Sequence, residues 1–253
     1  MNGIVVALKP PGMTSHDVVS LLRRIYKQRR IGHCGTLDPG AAGVLVLCLG
    51  YATRLIPFME DYIKGYRAEL CLGRSTDTQD AGGQVVDEVA EFTVNFQDIA
   101  AALGSFMGGY NQIPPMVSAL KHRGQRLYAL AREGKTVARK PRPVTIYNLT
   151  PARDMEGCLV HGGRFLFDVR CSKGTYVRTL CQDIGEVLGV PAHMSFLVRD
   201  EVGPWGLKEA TTLEGLMESP LEKIFPMDRG VAHMPGLKVT EAGATFLRQG
   251  SMI

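Results

Sequence analysis

The run Val44-Leu45-Val46-Leu47-Cys48-Leu49, bounded by Gly43 and Gly50, offers no polar residue to either face. Six residues are too few to cross a membrane, and the flanking glycines punctuate the run, so it reads as a buried strand. Gly3 to Lys9 (GIVVALK) reads the same way and ends at the turn Pro10-Pro11-Gly12. Burying such strands takes a substantial core. At 253 residues, 45% hydrophobic and 21% charged, the chain can supply one large domain, or one domain and a fragment of another.

Around these strands helical and extended patterns interleave without a repeat. Thr14 sits as an N-cap with Asp17 three residues on, and Val18, Leu21, Leu22 and Ile25 follow at helical spacing. Residues 31–43 read as a glycine-rich loop, Ala52 to Tyr62 as a helix, and Gly65 to Leu72 and Val85 to Val89 as strands. Phe96 to Phe106 and Leu127 to Arg132 have helical spacing, while Val144 to Pro151 and Arg164 to Cys171 alternate as strands. Thr175 to Leu188 is helical and stops at Gly189-Val190-Pro191; Val198 to Val202 and Leu207 are short extended pieces. With no regular β-α-β rhythm, the fold class is α+β: a central mixed, mainly antiparallel sheet flanked by helices.

The six cysteines form no C-x-x-C pair and sit mostly in apolar runs, which predicts buried free thiols rather than disulfides or a metal site. The start of the chain has a short apolar run without a basic leader, and no stretch approaches the roughly 18 apolar residues of a membrane span. A cytoplasmic protein is expected. The net charge of +4 is small but uneven. Residues 121–142 hold eight basic residues against Glu133 alone, a net +7, which leaves 21 basic and 24 acidic residues elsewhere. Such concentration fits a polyanion partner, although a solvated loop has the same composition. Arg23, Arg24, Lys27, Arg29 and Arg30 form a second basic group at the end of the first helix.

In the loop, Gly32, Gly35, Gly40 and Gly43 surround His33, Thr36 and Asp38. Glycine lets a flat ligand approach the main chain. A carboxylate there can attack a substrate once it is held ionised and oriented, yet Asp38-Pro39 alone is more often a plain turn. The run lacks the G-x-x-x-x-G-K-[ST] pattern of a phosphate-binding loop.

The segment GHCGTLDPGAAGVLVLCLGYATR resembles the signature of the TruB family of tRNA pseudouridine synthases, GHxGTLDPxAxGVL, whose aspartate is catalytic. The segments LKPPGMTSHD, KGYRAELCLGRSTDTQDAGG, QIPPMVSALKHRGQRLYALAREG, RPVTIYNL and CSKGTYVRTLCQDIGEVLG match further family motifs in order, over about residues 3–228. Cys34 stands where the family commonly has threonine.

The resemblance implies a pseudouridine synthase fold and isomerisation of uridine to pseudouridine at position 55, in the T-arm of tRNA. The N1–C1′ bond breaks, the uracil turns, and C5 joins C1′. No redox change or phosphoryl transfer occurs, so neither cofactor nor metal is implied. Asp38 would be the nucleophile, at C1′ or on the base. Tyr66 would stack on the flipped uracil and assist proton removal at C5. Arg178 would pair with Asp38 and keep it ionised. Tyr176 and Leu197 would line the pocket, His33 would fill the place the base vacates, and Lys9 and Pro10 would support the pocket, with Lys9 counted among the residues that meet the RNA substrate. Residues 121–142, with Arg139, Lys140 and Arg142, would be an RNA-gripping insertion that contacts phosphates. Residues 1–228 would be the catalytic domain, and 229–253 would open an incomplete RNA-binding PUA domain. A monomer is the default state. A guide-RNA-dependent relative and a non-catalytic RNA-binding protein on the same scaffold remain as other readings.

Overall fold

A computed structural model of the chain describes residues 1–152 and 157–250. Its body is a nine-stranded sheet built from β1 (Gly3–Lys9), β2 (Ile31–Cys34), β3 (Ala42–Leu49), β4 (Lys64–Leu72), β5 (Gly108–Gln112), β6 (Arg142–Pro151), β7 (Arg164–Cys171), β8 (Ala192–Val202) and β9 (Trp205–Gly206). The spatial order is β1-β3-β8-β4-β7-β6-β5, with β2 paired to β3 and β9 to β8. Pairing is antiparallel apart from a parallel contact of β8 with β3 at Ala42 and Gly43. The helices are α1 (Ser15–Ile25), α2 (Ile56–Met59), α3 (Phe96–Ser105), α4 (Leu127–Arg132), α5 (Val177–Leu188), α6 (Leu213–Glu218) and α7 (Glu241–Arg248). This is the mixed, mainly antiparallel α+β arrangement expected from the pattern. Among the described residues no helix is long and apolar enough to cross a membrane.

The two ends of the sheet are covered differently, and the sequence pattern follows. On β1 and β3, Val5, Ala7, Leu45, Leu47 and Leu49 pack against Val18 and Leu22 of α1 and Leu216 of α6. The alternate residues Ile4, Val6, Val44, Val46 and Cys48 pack against Ala52, Met59 and Trp205. Both faces are dry, so the run has no polar side, and each fully buried Val or Leu contributes about 1.5–3 kcal/mol. On β4 and β7 only one face is dry. Tyr66, Ala68, Leu70 and Leu72 with Phe165, Phe167 and Val169 pack under Ile99 and Leu103 of α3 and Leu180 and Ile184 of α5. The other face carries ion pairs such as Arg67–Asp168 at 2.7 Å and Arg164–Glu69 at 3.2 Å. Exposed pairs of this kind add at most about 1 kcal/mol each, so the helix-covered face holds this half together.

Four expectations are corrected. Residues 31–34 are not loop but the strand β2; Gly32, a turn signal in a strand of four residues, conceals it. Ala52 to Tyr62 is not one helix: a 3-10 turn over Gly50–Leu55 gives way to α2. Pro57 has no N–H to continue the ladder. β8 begins at Ala192, six residues before the predicted piece, because register shifts between Met194 and Phe196 and between Arg199 and Glu201 break its alternation. Cys158 is exposed, while Cys34, Cys48, Cys71, Cys171 and Cys181 are buried free thiols as predicted.

Past the predicted domain boundary at 228 the chain still touches the body. Tyr62 Oη donates to the Gly230 carbonyl at 2.9 Å, and a Cβ on Gly230 would lie 2.4 Å from Ile4 Cδ1. Residues 251–253, the end of the predicted second module, lie outside the described residues.

At the parallel contact, Gly43 has φ +116°, and a Cβ there would fall 2.1 Å from the Arg199 carbonyl oxygen. Gly40, three residues earlier, has open space around it. In urea unfolding, Gly43→Ala should lose about 2–3 kcal/mol, whereas Gly40→Ala should stay within about 0.5 kcal/mol. Equal stabilities for the two variants would contradict this account of the β3–β8 approach.

Candidate active site

The loop from Gly35 to Ala41 joins β2 to β3 and is fixed from several directions. Leu37 and Ala41 are sunk in the core at 3% and 2% exposure, so Asp38 between them is turned outward. The Ser15 hydroxyl, in the first turn of α1, donates to the Leu37 carbonyl at 3.1 Å and accepts from its N–H at 2.9 Å. That turn is itself fixed by the Thr14–Asp17 capping box. The Gly12 N–H and Lys9 Nζ both donate to the Pro39 carbonyl, at 2.8 and 3.2 Å.

Two buried arginines hold the loop from below. Arg178, in the first turn of α5, meets Asp38 side-on: Nε lies 2.8 Å from Oδ2 and Nη2 lies 3.3 Å from Oδ1. Its other donors reach the Val117 carbonyl (3.0 Å), the Thr78 carbonyl (3.1 Å) and Asp80 Oδ2 (3.4 Å). Arg199, from β8, is fully buried and donates to the carbonyls of Val44, Thr36 and Gly35 at 2.8, 3.2 and 3.1 Å.

Asp38 opens into a cleft of about 1170 Å³. His33, Tyr66, Tyr176, Arg178, Leu197 and Arg199 line it, so the fold gathers five of the other residues singled out in the sequence around Asp38. Tyr66 and Leu197 face the cleft from the adjacent strands β4 and β8, each largely buried. Arg199 was missed; its only signal was a charge directly after the apolar Phe196-Leu197-Val198. Thr78 and Asp80 were quoted within a motif without being given a task.

Three placements differ from the sequence expectation. Lys9 is fully buried and does not line the cleft; its ammonium serves the carbonyls of Pro10, Met13 and Pro39, so it supports the loop and cannot meet RNA. Arg139 is turned partly inward, its Nη1 on the Pro114 carbonyl at 3.2 Å. Lys140 and Arg142 are exposed but lie off the cleft wall, where Arg126, Arg132 and Lys135 of the same basic segment take their place. Tyr128 stands among these cations, with the guanidinium carbons of Arg126 and Arg132 at 5.9 and 5.6 Å from its ring centre.

The electrostatics follow from burial. Desolvation raises the Asp38 pKa above the ordinary carboxylate range; Arg178 opposes this, and the nearby Asp80 charge adds to it. Burial pushes the Tyr66 phenol up to about 12, with Arg199 beside it pulling the other way. Burial and the Arg199 charge both lower the His33 pKa, which keeps the ring neutral at pH 7. Burial brings the Lys9 ammonium down to about 8, with Asp38 opposing. At Asp38 the cleft therefore presents a carboxylate paired with the buried Arg178, between a neutral phenol, a leucine and a neutral imidazole. Such a site suits a flat, uncharged ring attacked by a single oxygen nucleophile.

The chain matches known proteins along most of its length. Residues 23–177 match the family described as TruB family pseudouridylate synthase (N terminal domain), and residues 178–232 match the tRNA pseudouridylate synthase B C-terminal domain. The tRNA pseudouridine synthase B of Pelotomaculum thermopropionicum is 47% identical over 258 residues, covering 100% of this chain and 81% of that protein. The protein of the same name from Alkaliphilus oremlandii is 46% identical, with 100% and 83% covered. Among solved structures, a Cbf5-Nop10-Gar1 complex superposes with a TM-score of 0.76 at 29% identity, covering 98% of this chain and 67% of that one. An H/ACA RNP bound to a substrate RNA containing 2'-deoxyuridine gives 0.75 at 26% identity, with 99% and 67% covered.

Carbon-13 NMR titration of the Asp38 carboxyl should give a midpoint above the ordinary value of about 3.9. In Asp80→Asn, which removes a like charge but keeps an acceptor for Arg178, the midpoint should move down. A midpoint that stayed in place or rose would refute the assigned causes.

Proposed function

This chain belongs to the TruB family of pseudouridylate synthases, and we propose that it isomerises uridine 55 in the T-arm of tRNA, with Asp38 as the nucleophile. The observation that carries the reading is the side-on Asp38–Arg178 pair, 2.8 Å at its shorter contact, at the floor of a cleft walled by Tyr66 and Leu197. The uridine leaves its stack and enters between Tyr66 and Leu197. Neutral His33 takes up part of the stacking that the RNA loses, a cost of a few kcal/mol. An Asp38 oxygen attacks the nucleoside, at C1′ or on the ring, and the N1–C1′ bond breaks. The uracil turns, C5 bonds to C1′, the bond between Asp38 and the nucleoside breaks to return the carboxylate, the C5 proton leaves, and N1 gains one. Atoms and charge balance without an external reagent.

The phenol of Tyr66, with a pKa of about 12, is protonated at neutral pH, so stacking is its first task. It accepts the C5 proton only where Arg199 steadies the phenolate. RNA is gripped by the cations of residues 121–142: Arg126, Arg132 and Lys135 along the cleft, with Lys140 and Arg142 further out. Residues 1–228 form the catalytic domain and 229–253 belong to a further RNA-binding module.

The likeness to ribonucleoprotein components at 26–29% identity favours a second reading, in which a guide RNA and partner proteins are required. The 46–47% identity to proteins named tRNA pseudouridine synthase B weighs against it.

Tritium release from tRNA labelled at uridine C5 separates these. The purified chain alone should release tritium, and Asp38→Asn should bind tRNA yet release none. Turnover by Asp38→Asn would remove the nucleophile assignment, and activity only with added guide RNA would favour the second reading. Replacing Arg126, Arg132 and Lys135 by Ala should weaken tRNA binding and flatten its dependence on salt by roughly 0.7–0.9 log units per lost phosphate contact. An unchanged slope would take the RNA grip away from these three residues.

A further inference from the structure

The first turn of α5 has an unusual start. Its N-cap is Tyr176, and no side chain of the cap bonds to the helix. Helix starts of this kind leave backbone groups to be satisfied from elsewhere. Here the partner is Gln112, the last residue of β5, with 1% of its surface exposed. Its Oε1 accepts from the Tyr176 N–H at 2.8 Å, and its Nε2 donates to the Tyr176 carbonyl at 3.1 Å. The second Nε2 hydrogen goes to the Tyr110 hydroxyl at 2.5 Å. Both N–H donors are committed, and the amide cannot flip without setting N–H against N–H.

Two residues beyond the clamped peptide lies Arg178, which has little slack of its own: Nη1 donates to the Thr78 carbonyl and Asp80, Nη2 donates to the Val117 carbonyl and Asp38, and Nε lies 2.8 Å from Asp38 Oδ2. Where that guanidinium sits is decided by where the backbone of Tyr176 and Val177 is fixed. Tyr176 itself lines the cleft.

We infer that Gln112 is a positioning residue for the reaction, whose side-chain amide sets the start of α5 and thereby the register of Arg178 on Asp38 and of Tyr176 on the cleft wall. The inference rests on the proposed role of Asp38. It touches no reacting atom, so it acts on turnover rather than on RNA affinity.

The test is Gln112→Met, which keeps the volume and removes both hydrogen bonds to Tyr176. A shift of the arginine by about 1 Å is enough to cost up to about 100-fold in rate. The variant should bind tRNA with an unchanged Kd and KM while kcat falls about 10- to 100-fold. The acid limb of its pH profile should move to higher pH, because Asp38 loses part of the charge that holds it ionised. A structural role alone would lower Tm and the active fraction, and leave the pH profile of the remaining activity in place; that result overturns the inference, as does an unchanged kcat. Tyr110→Phe removes the hydroxyl that orients the amide, and with it the hydroxyl's hydrogen bond to Asp183 in α5. It serves if Gln112→Met does not fold, and there the readout is the Asp38 carboxyl midpoint alone, which the titration of Asp183 does not enter; it should rise by less than in Gln112→Met, and an unmoved midpoint overturns the inference as well. The Asp38 carboxyl midpoint by carbon-13 NMR gives a readout independent of turnover. A parent chain that releases no tritium would defeat the proposed function, whereas an unmoved midpoint in Gln112→Met defeats this inference alone.

Discussion

A guanidinium is a rigid fork of N–H groups, and in Arg178 each terminal nitrogen has two acceptors while Nε makes a 2.8 Å ion-pair contact with Asp38. These acceptors come from the Asp38 loop, the turn at Thr78–Asp80 and the segment before the basic insertion. Taking a guanidinium out of water is costly unless its partners are all in place, and removing one partner of such a pair typically costs about 3–5 kcal/mol. The same constraint that keeps α5 against the sheet thus keeps a carboxylate charged in a largely desolvated position. On the proposed mechanism, stability and turnover both depend on this one side chain.

Arg199 does the complementary work with neutral partners. Among the described residues it pairs with no carboxylate; it ties together three carbonyls at the point where β8 passes parallel to β3. The loop carrying Asp38 is therefore held by three cations. Arg199 fixes its backbone at Gly35 and Thr36, Lys9 fixes it at Pro39, and Arg178 fixes the aspartate itself. A glycine-rich segment, which in isolation would sample many conformations, is left with few.

Much of this was legible beforehand, and the exceptions have physical causes. β1, β3, β4 and β7 announced themselves because their burial is regular, two-sided for the first pair and one-sided for the second. β8 was half concealed because its bulges at Ser195 and Asp200 destroy the two-residue period, and β2 because Gly32 reads as a turn signal in a strand of only four residues. Of the site, Asp38, Tyr66, Arg178, His33, Tyr176 and Leu197 were found through motif resemblance and are gathered around one cleft. Arg199, Asp80 and Gln112 were not given roles, since a lone arginine, aspartate or glutamine carries no periodicity and only folding reveals which carbonyls or peptides it reaches. The basic segment was recognised by charge count. Charge count does not say which of its cations face inward, and the cleft is lined by Arg126, Arg132 and Lys135 where Arg139, Lys140 and Arg142 had been singled out.

Asp38 and Arg178 are separated by 140 residues of chain. At a synthesis rate of about 5–20 residues per second, the aspartate is made roughly 7–28 s before the arginine that stabilises its charge. During that interval the Asp38 loop has β1, β2 and β3 and its anchors at Lys9, Gly12 and Ser15, but lacks α5 and β8 and with them Arg178 and Arg199. A nascent chain thus exposes the signature segment long before it can form a competent cleft, and RNA met on the ribosome encounters a protein that cannot yet act on it. The long-range pairing that assembles the site late is also the pairing that makes folding slow, which ties the onset of chemistry to completion of the sheet.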